Sequence, residues 1–224
     1  MKKSRILTFG CSNTFGQALP DVKDYLNAYS TPSRYAWPAQ LQNFSKRNVL
    51  NLAICGSSNK TIWRDVVDFS FEKNDTVIIL WTFFHRTSIL NIDRTNPLRI
   101  LPGYTSEENK TPSLELRRLN KNYYKHFYNE VNLNLESWMA INHAKFYLDS
   151  LNVKNYHFTF KLPRPNGNVE PTYNIETIPE WNKVDLDTIP FLKDFAVDNE
   201  HPGKKAHAKF ALDVAKRIKA TAFR

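Results

Sequence analysis

A serine hydroxyl attacks a carbonyl carbon only when a positioned base takes its proton and an acid orients that base. Three segments of this chain carry residues of those types. Ser12 lies in Gly10-Cys11-Ser12-Asn13-Thr14-Phe15-Gly16, a polar stretch bracketed by glycines directly after an apolar run. In a strand-to-helix turn its oxygen would sit beside a helix N-terminus, which favours developing negative charge. The same pattern also describes an ordinary helix N-cap. Gly56, in the segment Asn51 to Asn59, permits close backbone approach and offers its N–H to an anion, although alone it is merely a turn. Asp198 stands three residues before His201 in Asp198-Asn199-Glu200-His201-Pro202-Gly203, so one loop can hold a carboxylate against an imidazole. A surface histidine ahead of a helix fits that segment as well. The signal lies in the combination: serine after a first strand, glycine after a second, and D-x-x-H before a last helix.

The elements that would position these residues are legible in the apolar pattern. Arg5–Gly10, Asn48–Ala53 and Thr76–Thr82 are continuous apolar runs of the kind that form buried parallel strands, and Tyr156–Phe160 is a weaker fourth. Helical periodicity falls between them. Tyr35–Phe44 aligns Trp37, Leu41 and Phe44, with Pro38 tolerated near the first turn. Ser137–Leu151 repeats Trp138, Ile141, Ala144, Leu148 and Leu151, and Lys204–Ile218 repeats Ala208, Ala211, Leu212, Ala215 and Ile218. A further long helix is expected from Ser113 to about Leu135. Alternating strands and helices predict an α/β domain with a mostly parallel central sheet. The chain reads as one domain over residues 1–224, with insertions at about 91–135 and 161–190. Asn91–Pro112 is polar and turn-rich, and Lys161–Pro190 holds six prolines or glycines that bar long regular structure.

Composition narrows the function classes. The chain has 224 residues, 42% apolar, which is enough for a sizeable core. The apolar run after the basic start, Ile6 to Phe9, is too short for a secretory signal, and no stretch reaches membrane-spanning length. A cytoplasmic protein with no membrane association is the expectation. The formal charge of +9 would attract anions. The basic residues are nevertheless scattered, with no interleaving of aromatics, so nucleic acid is not the expected partner. Cys11 and Cys55 read as reduced, partly buried thiols, and Cys11 is a poor alternative nucleophile. His126, His143, His157 and His207 read as structural. No spacing suggests a metal, and no cofactor is expected.

The blocks FGCSNTFG, YAWPAQL, NLAICGSSNKTI and DNEHPGKKAHAKFA resemble the SGNH/GDSL hydrolase family, in that family's order. The resemblance implies a flavodoxin-like three-layer α/β/α sandwich and hydrolysis of esters, thioesters or acetyl groups, often on sugars or lipids. It makes Ser12 the nucleophile, His201 the general base and Asp198 the orienting acid, with the Ser12 and Gly56 N–H groups as oxyanion donors. Two departures stand out. Cys11 replaces the Asp of G-D-S, which is not the triad acid. In the third block, Trp81-Thr82-Phe83-Phe84-His85-Arg86 lacks the Asn that completes the oxyanion hole. Asn59, Thr82 and Arg86 are the candidates to replace it, while His85 and Arg86 are placed to line the pocket. Arg86 is positioned to grip an acidic group or to form a surface ion pair. The expected substrate is a small-molecule or glycan ester, most plausibly an O-acyl sugar stacked on aromatics such as Tyr104, Tyr173 and Trp181. The alternative is a weakened SGNH-fold protein that binds a glycan or protein partner.

Overall fold

The computed structural model describes residues 4–22, 31–89, 98–101, 113–159, 187–188 and 193–221. In chain order the elements are β1 (Arg5–Gly10), α1 (Ser12–Phe15), α2 (Trp37–Ser45), β2 (Asn48–Asn51), α3 (Asn59–Val67) and β3 (Thr76–Leu80). There follow β4 (Thr87–Ile89), β5 (Leu98–Ile100), α4 (Leu114–His126), α5 (Glu130–Ser150), β6 (Lys154–Thr159), β7 (Asp187–Thr188) and α6 (Lys204–Thr221).

One sheet runs in the order β2-β1-β3-β6-β7, and every neighbouring pair in it is parallel. The continuous apolar runs explain this, because side chains alternate across β1 and β3 and both faces are covered. Ile6, Ile78 and Leu80 point to one face, against Trp37 and Leu41 of α2 and Phe210 and Val214 of α6. Leu7, Phe9, Val77 and Ile79 point to the other, against Ile62 and Val66 of α3 and Trp138, Ile141 and Leu148 of α5. The result is the expected three-layer α/β/α arrangement. Because β2 lies to one side of β1 and β3 to the other, the sheet switches direction at β1, where open α/β sheets place their ligand crevice.

The opposite end of the sheet is clasped by charge. Arg5 makes a two-pronged contact with Asp75, at 2.9 and 2.7 Å, tying the start of β1 to the start of β3. Arg47 bridges the same edge through the Arg5 carbonyl at 2.9 Å and Thr76 Oγ1 at 3.0 Å.

Several boundaries differ from the sequence reading. Ala53, Trp81 and Thr82 lie past the ends of their strands, and the fourth strand starts earlier, at Lys154. The helix expected from Ser113 to Leu135 ends at His126, and a new one starts at Glu130 and absorbs the Ser137–Leu151 pattern. The cause is Asn129, whose side chain accepts from the Asn132 N–H and caps the second helix. The polar stretch 91–112 contains strand β5, paired antiparallel with β4. Most of 161–190 lies outside the described residues, as do Phe160, Tyr104, Tyr173 and Trp181. Among the described residues no helix is long and apolar enough to cross a membrane.

Candidate active site

The turn after β1 is shaped by contact with β3. A Cβ at Gly10 would lie 2.2 Å from Thr14 Oγ1 and 3.0 Å from the Leu80 carbonyl oxygen, so only glycine lets the chain turn there. Cys11 is the N-cap of α1, and its carbonyl accepts from the N–H groups of Thr14 and Phe15, each at 2.9 Å. Ser12 is thus the first helical residue and not the cap. Its hydroxyl is buried, and its acceptor among the described residues is Cys11 Sγ at 4.0 Å. Gly16, at φ 86°, ends this single turn in the left-handed region. Asn51 at the end of β2 braces the turn by donating to the Thr14 carbonyl at 2.8 Å.

The Asp198 loop is built separately. His201 Nδ1 lies 2.6 Å from Asp198 Oδ2, while Asp198 Oδ1 accepts from the N–H groups of Glu200 and His201, each at 3.0 Å. Burial pushes this carboxyl up, but the bonds from the His201 ring and the two N–H groups outweigh it and hold it at about 2. Asn199 takes the left-handed conformation, φ 56°, that closes the loop. Asp198 thus orders its own loop and holds the His201 ring, but it does not cap α6. That duty falls to Asp194, whose Oδ2 accepts from the N–H groups of Lys205 at 2.8 Å and Ala206 at 3.1 Å. Ala196 packs with Ala18, Leu19 and Ala36, which sets the loop against the chain just after the Ser12 turn. Among the described residues, Ser12 Oγ and the His201 ring make no hydrogen bond to each other.

The other expected pocket residues divide. Gly56 adopts φ 75°, and a Cβ there would meet Arg99 Cδ at 2.9 Å. The Asn59 carboxamide is spent on backbone: Oδ1 accepts from the Thr82 N–H at 2.8 Å and Nδ2 donates to the Thr82 carbonyl at 3.1 Å. Thr82 Oγ1 accepts from Arg86 Nη1 at 3.2 Å, and the Arg86 guanidinium lies 4.8 Å from the Phe83 ring centre. His85 stacks on that ring, and its carbonyl accepts from the Tyr124 hydroxyl at 2.9 Å. Arg99 was not singled out by the sequence. Its only trace there is the apolar-basic-apolar alternation Leu98-Arg99-Ile100 in an otherwise polar stretch.

Three of the four histidines read as structural are occupied, while His126 is exposed at the end of α4. His157 accepts from Trp81 Nε1 at 3.1 Å, His143 from Trp63 Nε1 at 2.6 Å, and His207 from the Trp37 N–H at 3.1 Å. Both cysteines are buried and unbonded to each other, and burial pushes the Cys55 thiol up to about 12. The ligating atoms of Asp198, Glu200 and His201 lie within 4.8 Å of one another, the grouping among the described residues that could approach a cation. Asp198 already accepts three hydrogen bonds there.

The fold is shared with solved structures. The chain is similar to a protein from Desulfitobacterium hafniense assigned to the G-D-S-L family of lipolytic proteins, with a TM-score of 0.50 and 15% identity over 95% of this chain and 98% of that one. The fold is that of the SGNH/GDSL hydrolases. A carbohydrate esterase, whose active site displays divergent catalytic and non-catalytic binding functions, gives a TM-score of 0.57 at 10% identity over 98% of this chain and 69% of that one. An acetyl xylan esterase from the rumen bacterium Butyrivibrio proteoclasticus gives 0.52 at 11% over 99% and 64%. No family model matches the chain, and no curated protein matches it in sequence. On the SGNH fold, Ser12 follows β1, Gly56 follows β2, and Asp198 and His201 precede α6, in the order of the sequence blocks.

Proposed function

We propose that this protein is a serine esterase that removes an O-acyl group, such as acetyl, from a carbohydrate. The observation that carries the reading is the 2.6 Å contact between His201 and Asp198, in a loop whose helix is capped by a different residue, Asp194. A carboxylate kept ionised holds the proton of His201 on Nδ1 and leaves Nε2 as the base. Ser12 Oγ attacks the acyl carbon, its proton passes to His201 Nε2, and the carbonyl π electrons move to oxygen. The Ser12 and Gly56 N–H groups stabilise that oxyanion. Collapse expels the sugar hydroxyl, which takes the proton back from His201. Water then enters by the same route and frees the acid from Ser12. Carbohydrate as the acyl carrier is supported by the names of the two esterases that share the fold.

A second reading rests on Phe83, which stands where the family has its third oxyanion donor. Loss of one such donor costs about two to three orders of magnitude in rate. A protein so weakened would serve to bind a glycan or partner. Labelling with a fluorophosphonate probe decides between them. Labelling of the wild type that disappears in both Ser12→Ala and His201→Ala is the expected result, and a folded wild type that never labels would establish the binding reading.

A further inference from the structure

The antiparallel pair β4–β5 is held from both sides. On the inner side, Ser88 Oγ bonds to Ser58 Oγ at 2.9 Å and to Thr61 Oγ1 at 2.8 Å, which pins β4 to the first turn of α3. On the outer side, buried Asn120 of α4 accepts from the Leu101 N–H at 2.7 Å. Tyr124, one turn along, donates to the carbonyls of His85 and Ile100. Arg99 is the residue directly opposite Ser88 in the antiparallel pair. Directly opposed side chains share a face, so Arg99 projects the way Ser88 does, toward the Gly56 turn. Its Nη1 and Nε lie 3.4 and 3.5 Å from where a Gly56 Cβ would stand.

Much structure is thus spent on aiming one guanidinium, which feels the Asp65 carboxylate but makes no ion pair among the described residues. No carboxylate comes within 4.0 Å of Arg99 or Arg86, and the nearby Asp65 is taken by Arg64 at 3.1 Å. Arg86, directly before β4, lies within electrostatic reach of the same turn. Both guanidiniums act electrostatically on the Cys55 thiol, the residue next to Gly56. Arg86 gives one N–H to Thr82 Oγ1 and keeps the rest. Two guanidiniums beside a glycine turn, neither in an ion pair among the described residues, are suited to a planar or tetrahedral oxyanion group.

We infer that Arg99 and Arg86 form an anion-binding subsite beside Gly56, so that the ester accepted here carries a carboxylate or phosphate close to its acyl group. This rests on the esterase reading for its catalytic consequence, but not for the binding itself. It also gives the missing third-block donor a context, because a substrate anchored by charge is oriented without it.

The test compares acetyl esters matched in shape. 4-Acetoxybenzoate and 4-acetoxyphenyl phosphate are anionic, and 4-acetoxybenzamide is the neutral control. The wild type should prefer the anionic esters in kcat/KM by roughly 10–100-fold, carried mainly by KM, as charge-assisted hydrogen bonds would give. In Arg99→Gln that preference should collapse toward unity, and Arg99→Lys should restore part of it. The two anionic esters tell whether carboxylate or phosphate is the better fit. Equal rates on charged and neutral esters in the wild type, or an equal loss on both in Arg99→Gln, would overturn the subsite. Calorimetric titration of Ser12→Ala with 4-acetamidobenzoate and 4-acetamidobenzamide keeps the two readings apart. Selective binding of the anion that is lost in a Ser12→Ala/Arg99→Gln double variant supports the subsite even in a protein without turnover. No selectivity there rejects it even in an active esterase.

Discussion

The side chain of Asn59 and the backbone of Thr82 close a reciprocal pair, each giving and receiving one hydrogen bond. A carboxamide has the same donor and acceptor spacing as a peptide, so Asn59 continues the pairing of β3 at Thr82, two residues beyond its last strand residue. This holds the turn that leads to Arg86. Both residues are buried, so removing the amide strands a backbone N–H and a carbonyl. Asn59→Leu should cost roughly 2–4 kcal/mol in chemical denaturation. Thr82→Val, which deletes only the hydroxyl that Arg86 uses, should stay within about 1 kcal/mol of wild type.

Asp194 and Asp198 separate stability from chemistry within one loop. Asp194→Ala removes the acceptor for two N–H groups at the start of α6 and should lower stability by about 1–2 kcal/mol while probe labelling persists. Asp198→Asn keeps the shape but favours the wrong imidazole tautomer. On the proposed chemistry it should cut turnover by roughly three to four orders of magnitude. Thermal melts and labelling rates measured on the same preparations check both.

Acid should unfold this protein from an unusually high pH. Burial holds His157 and His207 at about 3, well below the ordinary value of 6.5. Below 6.5 the unfolded chain binds protons that the folded chain refuses, so stability is complete above that pH and falls as pH drops from 6.5 toward 3. Asp198, held at about 2 against an ordinary 3.8, adds a further loss below 3.8. Melting temperature recorded from pH 7.5 to 4 should decline throughout, and more shallowly in His157→Gln, which keeps an acceptor for Trp81. A flat profile in the wild type would contradict the assignment of these histidines as buried and neutral.

The Arg5–Asp75 clasp sits at the end of the sheet away from the crevice. Asp75→Ala would leave Glu72, 3.5 Å from Arg5, as the remaining counter-charge at the β1–β3 edge and should lower stability. Catalytic parameters of the folded fraction should not change, which a urea curve and an activity assay at low temperature would establish together.

The parts of the fold that were legible in the sequence are those that one segment decides alone. A run such as Thr76–Leu80 has no polar face, and its burial on both sides follows from that. The Ser12, Gly56 and Asp198–His201 segments were legible because each lies next to a strand or helix signal. What the sequence concealed depends on pairings between distant segments. Asn129 looked like one more polar residue in a helical pattern, because its capping bond is local but its neighbours stay periodic. Arg99 acquires meaning only through its register with Ser88, and Ser88 through hydroxyls on α3. Asn59 was visible as a polar residue near the crevice, but not that Thr82 consumes its amide.

The placement of the Asp198 loop on α6 also sets an order of events. Ser12 and its turn are held by β1, β2, β3 and the segment leading into α2, where the Ser33 N–H bonds to the Phe15 carbonyl at 3.0 Å. The His201 loop is fixed by the cap on α6, and α6 is fixed by packing on α2, with Phe210 against Trp37 at 5.4 Å. A chain in which α6 is undocked therefore has no fixed place for the base. On the proposed chemistry such a chain stays inert toward esters, and competence arrives in one step when the final helix docks.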